Sequence, residues 1–311
     1  MRSVFDAIGA FLDSLTSIHW GFLAVAVLFH LGRIAARSRA WRNVIAAAYP
    51  DTAVEWRYVY GAYVAGIGAN AILPGRGGDL LRLYIVKHRV EGATYPTLAA
   101  TLLADGVFDL VAATLLLSWA LWAGILPGAN VLPNLPAADW LWVFKNPDQA
   151  IVIAGFILAV ALVAIGIAYH RITAFWDRVK QGLGILRTPR RYLREVALWD
   201  AADWALRLTA VFFFLSAFGL PATPYNAFAY LVAGSLSTAL PLTPGGIGTE
   251  QALLVFLFSD VGPASTILAF SVGVKLVIIT VNVALGVGAV AIMLRSLRWR
   301  DRVKADAAEN A

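Results

Sequence analysis

From Pro263 to Leu294 the chain runs through 32 residues with a single charged side chain, Lys275. A helix of that length measures about 48 Å at roughly 1.5 Å per residue, more than the roughly 30 Å hydrocarbon core of a bilayer. Comparable apolar stretches recur at Ser14–Gly32, Gln149–Tyr169, Pro224–Leu240, Gly92–Pro127 (apolar except Asp105 and Asp109) and Asp203–Leu220 (which carries Arg207). Two shorter ones lie at Tyr58–Leu73 and Glu250–Phe258. Charged residues are only 14% of the chain, against about 25% in soluble domains, too few to cover a water-facing surface. These features predict an all-α, polytopic integral membrane protein of about five to eight membrane segments. Soluble enzymes, disordered tails and coiled coils are excluded, and the absence of cysteine excludes disulfides and thiolate metal sites.

Charge between the apolar stretches predicts orientation. Residues 33–57, 74–92, 170–200 and 295–311 hold 21 of the 25 Lys and Arg residues. Stretch 127–148 has only Lys145 against Asp139 and Asp148, and 259–263 has Asp260 alone. The basic stretches are therefore expected in the cytoplasm, with the C-terminus, and the other two outside. The net charge of +6 is read as this orientation signal plus attraction to anionic headgroups, not as nucleic-acid binding. The 170–200 stretch, with Phe175, Trp176, Leu183, Leu186 and Tyr192 among its charges, is expected along the inner surface.

Both flanks of 58–73 are basic. A segment that dips in from the cytoplasm and returns removes the conflict; a short crossing helix with one exceptional flank is the alternative. The second half repeats the pattern. ANAILPGRGGDLLRLYIV (Ala69–Val86) and STALPLTPGGIGTEQALLVFL (Ser237–Leu257) each run apolar, Pro, glycines, one carboxylate, apolar. Opposite orientations of two such stretches predict two inverted halves with two re-entrant, Gly/Pro-broken helices. The whole of 1–311 is then one domain, with pseudo-repeats at about 14–126 and 200–294 linked by 127–199. Pro and Gly end the entering helix, and the restarting helix presents N–H groups suited to a phosphate or carboxylate. Asp79 and Glu250 either cap those restarts or contact a headgroup or a coupling proton.

LPGRGGDLLR (Leu73–Arg82) and PLTPGGIGTEQALL (Pro241–Leu254) resemble the flippase-like transmembrane region of lysylphosphatidylglycerol synthases. The resemblance covers nearly the whole chain. It implies movement of an anionic, modified or polyprenyl-linked lipid between leaflets of a cell inner membrane. Pro74, Arg76, Asp79 and Arg82 match the first motif, and Pro244, Gly245, Gly246, Gly248 and Glu250 the second; the resemblance makes them candidate headgroup-binding residues. The family tends to carry Glu-Arg and then Asp in the next helix, where this chain has Asp105, Gly106 and Asp109, and often Arg where it has Lys275. The aminoacyl-transferring domain of the synthases has no counterpart in these residues, so the chain is not expected to charge lipids itself.

An ionisable side chain at the bilayer centre costs about 2.5–3.5 kcal/mol on insertion scales. Asp105 and Asp109 share a helical face, and Lys275 is the expected counter-ion; the three form either a structural cluster or a proton relay. Asp200, Asp203 and Arg207 also share a face and are expected to neutralise one another. The histidines, His19, His30, His88 and His170, are scattered singly, and no metal motif, nucleophile elbow or Walker loop occurs. No catalytic residue, metal or cofactor is assigned. A membrane-embedded lipid-modifying transferase, or an accessory subunit of such an enzyme, is the alternative function.

Overall fold

The computed structural model describes residues 18–73, 77–123, 169–239 and 248–309. Among the described residues every regular element is helical. In chain order they are α1 (Trp20–Ala48), α2 (Trp56–Ile72), α3 (Gly77–Lys87), α4 (Tyr95–Trp122), α5 (Tyr169–Gly182), α6 (Pro189–Tyr192), α7 (Leu198–Ala217), α8 (Pro224–Ala239), α9 (Thr249–Leu257) and α10 (Ala264–Glu309). A 3₁₀ turn at Gly184–Arg187 and a π turn at Leu193–Ala197 join α5, α6 and α7. Among the described residues three stretches are long and apolar enough to cross a membrane: Trp20–Ala48, Tyr95–Ala120 and Ala264–Met293. The expected segment Gln149–Tyr169 and the 127–148 stretch lie outside the described residues, apart from Tyr169 at the start of α5.

Helix α1 continues well past Gly32. No proline interrupts the chain before Pro50, and the helix runs 29 residues to Ala48. Arg33, Arg37, Arg39 and Arg42 are therefore helical, and the basic stretch 33–57 leaves the helix only after Ala48. Within the 170–200 stretch the described residues fold into short helices and helical turns, and those from Gln181 on dock against the bundle. Asn43 Nδ2 donates to the Glu195 carbonyl, and Gln181 Nε2 donates to the Ala48 carbonyl at 2.8 Å. Ile185 and Val196 are buried beside Ala40, Val44 and Ala104. Phe175 and Trp176 of α5 remain exposed.

Helix α1 is the spine. Its contacts with α7 run antiparallel, from His19 N–H on the Ala217 carbonyl to Gly32 against Leu206 and Arg33 on Asp203. It lies antiparallel to α4 too, for Arg37 meets Asp105 and Asp109 while Trp41 donates to Thr101. One apolar core joins α1, α4 and α7 to α8, α9 and α10 around Phe214, Leu231, Phe258 and Phe270. A second joins the C-terminal half of α1 to α2, α3 and the start of α4 around Trp41, Ile45, Ile85 and Leu98. Small residues bring α2 against α10, as expected where lipid removes the hydrophobic drive between helices. A Cβ built on Gly68 would lie 2.5 Å from Gly286 Cα and 2.7 Å from the Asn282 carbonyl oxygen.

Candidate functional site

The first Pro/Gly break separates α2 from α3, and α3 folds back along α2. Gly66 and Gly78 face each other so closely that a Cβ on Gly66 would lie 2.9 Å from the Gly78 carbonyl oxygen and 3.1 Å from Arg82 Cβ. Asn70 ties the junction together: its Oδ1 accepts from Gly78 N–H at 2.8 Å and its Nδ2 donates to Asp79 at 3.0 Å. Asp79 also pairs with Arg82, one turn on, at 3.4 Å. The Arg82 guanidinium stacks over Trp41 and Tyr63, 5.0 and 5.4 Å from the ring centroids. Its Nε is buried without a hydrogen-bond partner among the described residues. Pro74 and Arg76 lie outside the described residues.

The second break separates α8 from α9, and Pro244, Gly245 and Gly246 likewise lie outside the described residues. The restart does not. Gly248 has φ +93°, the left-handed region where a side chain would be strained. Its N–H donates to Gln251 Oε1 at 2.7 Å. Glu250, in the first turn of α9, accepts from Lys275 of α10 at 2.9 Å. At each restart, then, a side-chain amide takes one N–H that the sequence suggested would be open to a ligand, and the adjacent acid has a basic partner.

That ion pair corrects the expected role of Lys275. The carboxylates of Asp105 and Asp109 are held by Arg37. Its Nε donates to Asp105 Oδ2 at 3.1 Å, its Nη1 to Asp109 Oδ1 at 3.0 Å, and its Nη2 to Asp109 Oδ2 at 2.6 Å and to the Asp105 carbonyl at 3.2 Å. Asp200 Oδ1 stands 3.2 Å from Nη1. Trp204 Nε1 donates to Asp109 Oδ1 at 3.0 Å. The expected self-neutralisation on α7 is corrected too. Asp203 pairs with Arg33 of α1 at 2.9 Å, and Arg207 lies over the Trp204 ring at 5.5 Å. The acids thus meet their bases between helices, through two arginines one turn apart on α1. Arg33, Arg37, Asp200, Asn70 and Gln251 were not legible as site residues. The usable signal was the four-residue spacing of Arg33 and Arg37 directly after an apolar run.

Among the described residues no group of three or more His, Asp or Glu side chains could hold a metal ion. A family model of the lysylphosphatidylglycerol synthase TM region matches residues 4–286. The chain belongs to this family. It is a membrane protein, all-helical among the described residues. It is also similar to the glycosyltransferase AglD of Haloferax volcanii, 27% identical over 248 residues, covering 68% of this chain and 40% of that protein. The chain thus spans less than half the length of that relative. A UPF0104 membrane protein of Methanothermobacter thermautotrophicus is 23% identical over 280 residues, covering 83% of this chain and 79% of the relative. No solved structure matches.

Proposed function

We propose that the protein moves a lipid with an anionic, modified or polyprenyl-linked headgroup between membrane leaflets. The observation that carries this reading is the pair of broken-helix junctions. Each has an acid in the first turn of the restarting helix, tied to a basic side chain, Arg82 or Lys275. Broken backbone is tolerated at membrane depth only where protein satisfies it or a watery cavity faces it. Two such junctions of opposite orientation would line a polar path for a headgroup while the acyl chains stay in lipid. On this reading both junctions are re-entrant, the halves are inverted repeats, and the protein sits in an inner membrane with its C-terminus in the cytoplasm. Pro74, Arg76, Asp79, Arg82, Pro244, Gly245, Gly246, Gly248 and Glu250 are the proposed headgroup-binding residues. Arginine suits that role because its planar fork holds a phosphate through paired hydrogen bonds.

The test is leaflet exchange of headgroup-labelled lipids by the purified protein in proteoliposomes. Exchange no faster than in protein-free vesicles for anionic, sugar-bearing and polyprenyl-phosphate lipids alike would overturn the reading. The similarity to a glycosyltransferase over 68% of this chain favours one alternative: a membrane-embedded part of, or accessory subunit to, an enzyme that modifies lipid headgroups. Product formed from a labelled sugar donor in the presence of this chain, without exchange, would establish that alternative.

A further inference from the structure

Three carboxylates, from Asp105, Asp109 and Asp200, surround the single guanidinium of Arg37. Its hydrogen bonds go to Asp105 and Asp109, and none reaches Asp200. Asp200 is 0% exposed, and among the described residues nothing donates a hydrogen bond to either of its carboxylate oxygens. Asp105 Oδ1 is buried and unpartnered in the same way. The other charged groups facing the cluster do not remove the imbalance. Arg33 is taken by Asp203, Arg82 is shared with Asp79, and Arg207 stacks on Trp204. The neighbouring phenols are Tyr63 and Tyr192, which carry no charge that would offset the imbalance. An ionised carboxylate stripped of hydrogen bonds beside two others is among the costliest groups to bury, and one bound proton removes that cost.

We propose that Asp200 is a proton-binding site, holding one exchangeable proton in the Arg37 cage. Binding forms one O–H bond on a carboxylate oxygen and breaks no bond within the protein. A proton fits better than a metal ion, because no three acidic or His side chains among the described residues converge on a metal position. The Asp109 side chain is 45% exposed while touching the same Nη1 as Asp200, so Asp109 is the group of the cage through which the site would exchange its proton. The site stands whether or not the cargo is a lipid.

Infrared spectroscopy of the full chain in nanodiscs tests this at neutral pH. The wild type should show the C=O stretch of a protonated carboxylic acid, shifted by transfer to heavy water. Asp200→Asn should lose the band and Asp203→Asn should keep it. Asp109→Asn gives Asp200 access to Arg37, so the band should weaken at the same pH; this variant keeps the test decisive if Asp200→Asn does not fold. A wild type without the band, a band unchanged in Asp200→Asn or Asp109→Asn, or a band that never shifts in heavy water would overturn the proposal. A band abolished by sodium chloride but not by choline chloride would replace the proton with a monovalent cation. Leaflet exchange is measured separately, so failure of the transport reading leaves the infrared result intact.

Discussion

Lys275 donates to Glu250 across 2.9 Å, joining the first turn of α9 to the long helix α10. The side chains are 26% and 14% exposed, so the pair is neither a free surface bridge nor a sealed one. Removing one partner of a fully buried pair costs about 3–5 kcal/mol, and partial exposure reduces that figure. Lys275→Met is expected to lower thermal stability in detergent, and adding Glu250→Gln should restore part of the loss. Additive losses in the double variant would show that the two residues are not coupled.

Arg37 carries more. Arg37→Met leaves Asp105, Asp109 and Asp200 without the guanidinium that bridges them, an expected loss of about 3–5 kcal/mol. Arg37→Lys keeps the charge but cannot reproduce a fork that donates from three nitrogens at once. Both variants should be recovered poorly as monodisperse protein, with the methionine variant worse. An Arg37→Met protein as stable as wild type would remove the cluster from any structural role.

Backbone proximity gives a sharper contrast. Gly68→Ala places a methyl 2.5 Å from Gly286 Cα, so α2 must move away from α10. Gly106→Ala meets nothing within 4 Å and, in mid-helix, should be neutral or favourable by up to about 1 kcal/mol. Melting curves of the two variants should therefore separate clearly, with only Gly68→Ala destabilised. Equal melting temperatures would contradict the close crossing of α2 and α10.

What could be read in the sequence was what hydropathy controls. The apolar stretches became helices at nearly the expected places: Tyr95–Trp122 within 92–127, Pro224–Ala239 within 224–240, and Thr249–Leu257 against 250–258. The failures share a cause. Counting Lys and Arg as loop markers assumes that basic side chains face water, yet Arg33 and Arg37 lie inside α1 and meet acids from α4 and α7. Which acid meets which base depends on how helices far apart in sequence are aligned, and composition does not encode that. Lys275 meets Glu250, and Asp105 and Asp109 meet Arg37. Asn70 and Gln251 were missed because an amide near a helix break has no distinctive pattern until the break folds.

Topology follows from labelling single cysteines, since the chain has none of its own. Ser38 is fully buried, its hydroxyl oxygen accepting from Trp56 Nε1, so Ala53 is the better reporter on that side of α2. Ala53, His88 and Ser259 are exposed. Cysteines at 53 and 88 should react with an impermeant reagent from the same, cytoplasmic face, and one at 259 from the opposite face. Reaction of 53 and 88 from opposite faces would mean that 58–73 crosses the membrane, and the first re-entrant junction would be lost.

The two acids at the breaks decide between anchoring and transport. Asp79→Asn retains an amide oxygen able to accept from Asn70 and loses only the charge that pairs with Arg82. Glu250→Gln is best made together with Lys275→Met, so that no unpaired ammonium remains beside α9. If the acids only tie the helix ends in place, both proteins should fold and exchange lipid at the wild-type rate. If they meet a headgroup or release a proton to it, exchange should fall at least about tenfold, equal to ~1.4 kcal/mol of barrier, while the proteins stay monodisperse. The charge, and not the cap, is then the functional element. Wild-type exchange in both variants would remove the junctions from the transport path and leave them as helix anchors.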